Sequence, residues 1–222
     1  MFTPEELTTR FDFCVPEAKW LSDLTGIRND LEAVARICKR VQNDAGNFKF
    51  EPGVNVLAML DERMLAADLV CAAIVRFMRT HGTGVRGGIP SSWVEDLPTD
   101  LRDAHTYFKN LRDKFIAHSV NPLEDNQVFA WVKGFGTLGA QVTRVDSSPG
   151  RYLPGSDDAA LLGTLTNVLL ARICQEIEAE SARLLGIARS LSIDEVCKRG
   201  SKELPIPAPT KHAGNGRAPF KE

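Results

Sequence analysis

The chain has 222 residues, of which 43% are hydrophobic and 25% are charged, and its net charge is −2 with a pI near 6.1. This length and apolar content suffice for one sizeable core. The acidic pI excludes the overall basic charge that is typical of proteins that bind long nucleic acids through phosphate contacts, so any basic face has to be local.

The N-terminal sequence MFTPEELTTRFDF has no basic stretch followed by an apolar run, and so no secretory signal is visible. The richest apolar run, residues 69–78, contains Arg76 and is too short to span a membrane. No two of the five cysteines have CxxC spacing, which favours buried thiols over a zinc site or a disulfide framework. The three that fall in apolar helical patterns are Cys38, Cys71 and Cys174. We therefore expect a cytoplasmic protein without membrane association.

The first half of the chain predicts helices. Residues 16–24 predict a short helix that Gly26 ends. Residues 27–43 and 55–80 carry apolar side chains at three- and four-residue steps, which predicts two longer amphipathic helices. Residues 44–53 contain two glycines and a proline and predict a connector between them.

Residues 82–97 contain four glycines, which invites comparison with a phosphate-binding loop. The pattern GxxxxGK[ST] is absent, and the segment follows a predicted helix and not a strand. We interpret it as a flexible connector that could close as a lid over the next helix.

Residues 98–121 predict a further helix, with Thr99 as its N-cap and Pro122 directly after its end. Its apolar residues recur at helical spacing and form one stripe: Leu101, Ala104, Phe108, Leu111 and Phe115. At about 100° per residue, Arg112 and His118 lie roughly 120° apart and flank that stripe. The sequence thus predicts a permanent cation and a group that titrates near neutral pH at the rim of one packing interface.

The second half predicts a β-hairpin at about residues 126–146, because its two runs are rich in β-branched and aromatic residues. Residues 147–155 predict a turn, and a long helix follows from Ser156, its N-cap, to about residue 191. A capping box predicts a last short helix before residue 200, and the composition of residues 200–222 predicts a disordered tail. Residues 1–199 therefore predict a single domain of the all-α class, an antiparallel helical bundle with a small inserted β-hairpin.

The run Arg112-Asp-Lys-Phe-Ile-Ala-His118, late in a helix of such a bundle, resembles the signature of the HEPN superfamily. Its members carry an Arg, four to six intervening residues and then a His. The string RDKFIAH is similar to the RNKxxAH form of abortive-infection-type members, and it departs from that form at Asp113, where Asn is frequent. The resemblance covers these residues closely and the helical layout more loosely.

The resemblance implies a metal-independent endoribonuclease without cofactors, which acts as a homodimer on RNA, as a toxin or an anti-phage effector, with an antitoxin protein as a further partner. Arg112 and His118 match the catalytic positions of the family. The residues themselves suit that chemistry, because His118 can move a proton near neutral pH and the planar fork of Arg112 can donate to two phosphorane oxygens. The sequence shows no metal-ligand motif.

Four further residues of this helix are auxiliary or substrate-binding candidates: Tyr107, His105, Asp113 and Lys114. For each of Tyr107, His105 and Lys114, a plain structural role competes with the functional one. The alternative for the whole chain is a non-catalytic HEPN-like module for interaction or dimerisation. A basic patch that joins Arg36, Lys39, Arg102 and Lys109 in the fold would favour the enzyme, and a large exposed apolar patch would favour the module.

Overall fold

The computed structural model of the chain describes residue 13 and residues 15–45, 56–82, 86–116, 124–151 and 153–199. A 3₁₀ turn at Pro16–Ala18 leads into the first helix. The helices are α1 (Lys19–Ala45), α2 (Val56–Arg79), α3 (Ser91–Glu95), α4 (Thr99–Leu111), α5 (Ser156–Ser190) and α6 (Ile193–Arg199). A π-helical turn, Arg112–Ile116, extends α4, and the two strands are β1 (Glu124–Lys133) and β2 (Gln141–Arg151). The prediction of a mostly helical chain with a small β-hairpin is confirmed.

The four long helices pack together, with α1 and α4 each in contact with α2 and α5. On α1 and α2, Asp30 bonds Arg76, near the C-terminal end of α2. The N-terminal part of α1 lies beside the middle of α5, where Trp20 Nε1 is 3.5 Å from Glu176 Oε1. Tyr107, near the end of α4, bonds Asp158 at the start of α5. The core between these helices is apolar, and its largest fully buried side chains include Phe77, Phe108, Leu24, Ile27, Leu31, Ile74, Leu162 and Leu165.

The first helix differs from the prediction, because Gly26 does not end it. Leu24, Ile27 and Leu31 are fully buried and keep one apolar stripe running through the glycine. Arg86 packs over Gly26, where a Cβ atom would lie 3.0 Å from Arg86 Nη1. Burial of this stripe outweighs the cost of about 1 kcal/mol for glycine inside a helix.

The glycine-rich segment also differs from a flexible connector over residues 86–97. The Ile89 amide donates to the Thr80 carbonyl at 2.7 Å and the Gly87 amide donates to Asp23 Oδ2 at 3.0 Å. Gly88 comes so close to the end of α2 that a Cβ atom there would lie 2.8 Å from the Gly82 carbonyl oxygen. The glycines therefore allow a close approach of two backbones.

The hairpin is longer than predicted. Its ladder runs from Glu124 opposite Arg151 to Lys133 opposite Gln141, so the second strand takes in residues that were predicted as a turn. A bulge interrupts the register beside Trp131. The two strands pair with each other, and their large apolar side chains are exposed to solvent.

Three local predictions can be compared with the structure. The capping box is confirmed, since the Ser192 amide donates to Glu195 Oε2 and the Glu195 amide to Ser192 Oγ. Ser156 and Thr99 are the first helical residues and not N-caps. Cys38 is buried, which raises its thiol pKa to about 11, whereas Cys174 is exposed and its prediction as a buried thiol is wrong.

None of the helices among the described residues combines the length and the apolar content that are needed to cross a bilayer. Residues 117–123 and the predicted tail at 200–222 lie outside the described part of the chain.

Candidate functional site

The candidate motif lies where α4 leaves the core. Four members of the predicted stripe are buried, as expected: Leu101, Ala104, Phe108 and Leu111. Directly after them, the backbone changes from α-helical to π-helical geometry over Arg112–Ile116. Isolated π-helical turns are rare and are frequent at functional sites. The α-helical register of the stripe thus ends where the motif begins.

The predicted angle between Arg112 and His118 assumed α-helical geometry throughout, whereas the backbone over Arg112–Ile116 is π-helical. His118 itself, the second residue of the predicted catalytic pair, lies outside the described residues. Arg112 is half-buried, as the sequence predicted for a residue at the rim of the interface.

Arg112 pairs with its neighbour in the chain. Its Nε atom lies 2.9 Å from Asp113 Oδ1, and each side chain keeps 41% of its surface exposed. The oxygen is not aligned with the N–H direction, so Arg112 Nε has no hydrogen-bond acceptor among the described residues. The contact is therefore an ion pair at the surface, a class of interaction that contributes at most about 1 kcal/mol.

The auxiliary candidates Lys114 and Tyr107 are both exposed. Lys114 lies on the same π-helical turn as Arg112 and Asp113, and the fold thus keeps these three together. The Tyr107 hydroxyl donates to Asp158 Oδ1 at 2.7 Å and ties α4 to the first turn of α5. This contact gives Tyr107 a structural role.

His105, the remaining auxiliary candidate, faces α2 and not the motif. Its ring centroid lies 4.7 Å from that of His81 and 6.2 Å from that of Phe77. The Nε2 atoms of both histidines are buried and have no partner among the described residues. Burial, followed by the nearby His105, lowers the pKa of His81 to about 4. Burial and the Lys109 charge also lower the pKa of His105.

The sequence does not predict the histidine pair, because His81 directly follows the predicted helix of residues 55–80 and no local pattern links it to His105. The sequence also does not predict a cluster of charges around Asp30, a buried residue of α1. Arg76 and Arg86 bond its two carboxylate oxygens, and Arg79 lies next to them. The spacing Arg76-x-x-Arg79 on one helix was the available signal, but no sequence pattern linked it to Asp30.

The basic patch that would favour the enzyme is not assembled as one surface. Arg36 and Lys39 lie on α1, and Arg102 and Lys109 lie on α4, and all four are exposed. These two helices each pack on α2 and α5, which lie between them. The cations that the fold does bring together are the arginines around Asp30.

No group of three or more His, Cys, Asp or Glu side chains within the described ranges is arranged to hold a metal ion. No family model, curated protein or solved structure matches the chain. The function therefore has to be argued from the residues and their geometry.

The histidine pair makes the stability of the fold sensitive to pH. In the folded chain the pKa of His81 is about 4, against 6.5 when exposed, so the unfolded chain binds more protons between these values. The stabilisation is present above pH 6.5 and is lost as the pH falls toward 4. Between pH 7.5 and 5, we expect His81 to account for a loss of about 2 kcal/mol in the free energy of unfolding.

Urea denaturation of the wild type and of His81→Leu at those two pH values measures the contribution of His81 to the free energy of unfolding. The variant should lose about 2 kcal/mol less than the wild type on acidification. Equal losses in the two proteins would show that His81 is not held neutral by the fold.

Proposed function

We propose that the chain is a metal-independent endoribonuclease of HEPN type, with Arg112 and His118 as its catalytic residues. The observation that carries the proposal is the placement of Arg112, half-exposed on a π-helical turn that directly follows the buried stripe of α4, within the string RDKFIAH. The proposal includes a homodimer, in which two copies of the motif line one cleft. A role as a toxin or an anti-phage effector, with an antitoxin as its partner, belongs to the same proposal.

The chemistry needs the RNA, these two side chains and solvent water. The 2′-oxygen forms a bond to the adjacent phosphorus, and the bond from phosphorus to the 5′-oxygen breaks. A proton leaves the 2′-hydroxyl and a proton reaches the departing 5′-oxygen; His118 serves one of these transfers and solvent water serves the other. Arg112 donates to the phosphorane oxygens as negative charge develops on them. The products are a 2′,3′-cyclic phosphate and a 5′-hydroxyl.

Asp113 does not prevent Arg112 from acting on a phosphate. Because both side chains are partly exposed and the contact lacks an aligned hydrogen bond, little free energy is lost when the guanidinium turns to a new acceptor. A phosphodiester offers two oxygens to the planar fork and so replaces a single ion pair with a bidentate contact. Asp113, in place of Asn, therefore lowers the affinity of Arg112 for a phosphate but does not abolish it.

RNA cleavage in EDTA tests the proposal. We expect the wild type to cut RNA and to leave cyclic-phosphate ends, and we expect Arg112→Ala and His118→Ala to lower the rate by about 10²–10³-fold. Asp113→Asn should raise the rate by up to about fivefold, since the competing ion pair contributes at most about 1 kcal/mol. The rates and the chemical nature of the ends are measured by gel electrophoresis and mass spectrometry.

Arg189→Ala is the matched control, because Arg189 is exposed on α5 and its removal changes the net charge by the same amount. It should cut like the wild type. An uncut substrate, a requirement for added metal or equal cutting by all variants would contradict the proposal.

A specific observation favours the second candidate function, a non-catalytic module that associates with a second copy of itself. Eight large apolar side chains of the hairpin region are exposed, at 38–112% of their surface. Cross-strand partners share a face, and one face therefore carries Val128, Ala130, Val132, Val142 and Val145 side by side, with the charged pair Glu124 and Arg151 at the open end of the ladder. An apolar stretch of this kind is complementary to its own copy across a two-fold axis. A lone two-stranded hairpin is marginally stable, which is a further reason to bury this face.

Sedimentation velocity tests this association. The double substitution Val128→Thr with Val145→Thr keeps β-branched side chains but makes the face polar, and it should convert a dimer into a monomer. Val168→Thr, at an exposed valine of α5, is the control and should leave the dimer intact. A monomeric wild type, or a dimer that survives the double substitution, would exclude the hairpin as the contact.

A further inference from the structure

The arginines around Asp30 form a built cluster at the solvent boundary. Arg76 Nε lies 2.9 Å from Asp30 Oδ1, Arg86 Nη2 lies 2.9 Å from Oδ2, and Arg79 Nη2 lies 3.9 Å from the same Oδ2. The carboxylate is nearly fully buried, at 7% exposure, whereas the three guanidinium side chains keep 29–66% of their surface exposed. The cations therefore face solvent with the anion behind them.

The cluster carries more charge and more donors than Asp30 can match. Three positive charges against one negative charge leave +2, and among the described residues no other carboxylate lies within ion-pair distance of these arginines. The C-terminal end of α2 contributes a partial charge of about −0.5, which leaves the cluster clearly positive. Three guanidinium groups have about fifteen N–H donors, and a carboxylate accepts about four hydrogen bonds. Most of the donors are available to a second anion.

Hydrogen bonds to Asp30 involve two of the arginines and not the third. Burial alone would raise the carboxyl pKa of Asp30, but the hydrogen bonds from Arg76 and Arg86, together with the charges of Arg86 and Arg79, outweigh it, and the pKa lies below its ordinary value. Arg79 makes no hydrogen bond to Asp30 and is the most exposed of the three, at 66%. Its long ion pair with Asp30, at 3.9 Å, leaves its guanidinium donors directed largely to solvent.

The cluster is held in place before any ligand arrives. Arg86 packs against Gly26, and its segment is fixed by the bonds from the Gly87 amide to Asp23 and from the Ile89 amide to Thr80. A preordered set of guanidinium forks suits the oxygens of a phosphate group, which accept hydrogen bonds in pairs. Less conformational entropy is lost when such a set binds.

We infer that the cluster of Arg76, Arg79 and Arg86 binds a backbone phosphate of single-stranded RNA. This inference rests on the proposed ribonuclease function and names a substrate contact outside its catalytic motif. Phe77, between Arg76 and Arg79, packs on His105 of α4, and Arg112 follows seven residues later. Arg76 and Arg79 thus lie on the helix that packs against α4, the helix that leads to Arg112.

The probe is a fluorescein-labelled 2′-O-methyl oligoribonucleotide of about ten nucleotides, which lacks the hydroxyl nucleophile and cannot be cut. Anisotropy titrations in EDTA at several salt concentrations give its affinity for the wild type and for Arg79→Gln. Loss of one phosphate contact should weaken binding about fivefold at 0.1 M salt and lower the slope of log affinity against log salt by about 0.7. Arg79→Lys keeps the charge and should keep the slope.

Arg63→Gln is the matched control, since it removes the same charge from an exposed arginine about 24 Å away along α2. It should bind like the wild type. A wild type that does not bind, or equal affinities and slopes for Arg79→Gln and Arg63→Gln, would overturn the inference. A chain that binds in this way but cuts no RNA keeps the phosphate site and contradicts the ribonuclease. A chain that cuts RNA, and whose Arg79→Gln variant binds like the wild type, keeps the ribonuclease and contradicts the phosphate site.

Discussion

The structure depends on one buried carboxylate. Asp30 lies in the middle of α1, and an ionised carboxyl there is costly to bury unless cations compensate it. Arg76, near the end of α2, donates a hydrogen bond to Asp30, and so does Arg86, in the segment that follows α2. This one residue thereby sets how two long helices and the glycine-rich segment meet. A buried ion pair of this kind adds less net stability than its geometry suggests, and we expect its main effect to be on the register of the helices.

The same contacts connect the fold to the two candidate binding places. Once the segment after α2 is fixed, α3 and α4 follow from it, and His105 of α4 packs on His81 and Phe77 of α2. The π-helical turn with Arg112 follows the C-terminal end of α4, where the chain reaches the surface. The arginines that neutralise Asp30 supply a positive surface on the other side of α2. An acidic protein thus acquires a local basic face without a basic composition.

Much of the fold could be predicted from periodicity alone, because burial of an apolar stripe is a local property of the sequence. The stripe of α4, from Leu101 to Leu111, and the position of the hairpin are examples. The errors arose where distant residues decide the outcome. Gly26 stays helical because Arg86 and the core hold it, and the segment around Gly88 is ordered by the end of α2. Neither effect is visible in the local sequence.

The candidate site was predicted in composition but not in geometry. The positions of Arg112 and Asp113 next to the end of the apolar stripe followed from spacing, whereas the π-helical turn did not. His105 shared a helix face with Arg112 by arithmetic, but the neighbouring His81 draws it into a buried pair. The Asp30 cluster joins residues that are 46 and 56 positions apart in the chain, and such pairings are set by tertiary packing.

A double-mutant cycle on Asp30→Asn and Arg86→Gln tests this account most directly. If Asp30 organises the cluster, Asp30→Asn should lower the free energy of unfolding by about 2 kcal/mol, because it removes charge-assisted hydrogen bonds from a buried site. Adding Arg86→Gln should then cost little more, which gives a coupling energy of at least about 1 kcal/mol. Single effects that add to within about 0.5 kcal/mol would show that the two residues act independently and would contradict the account.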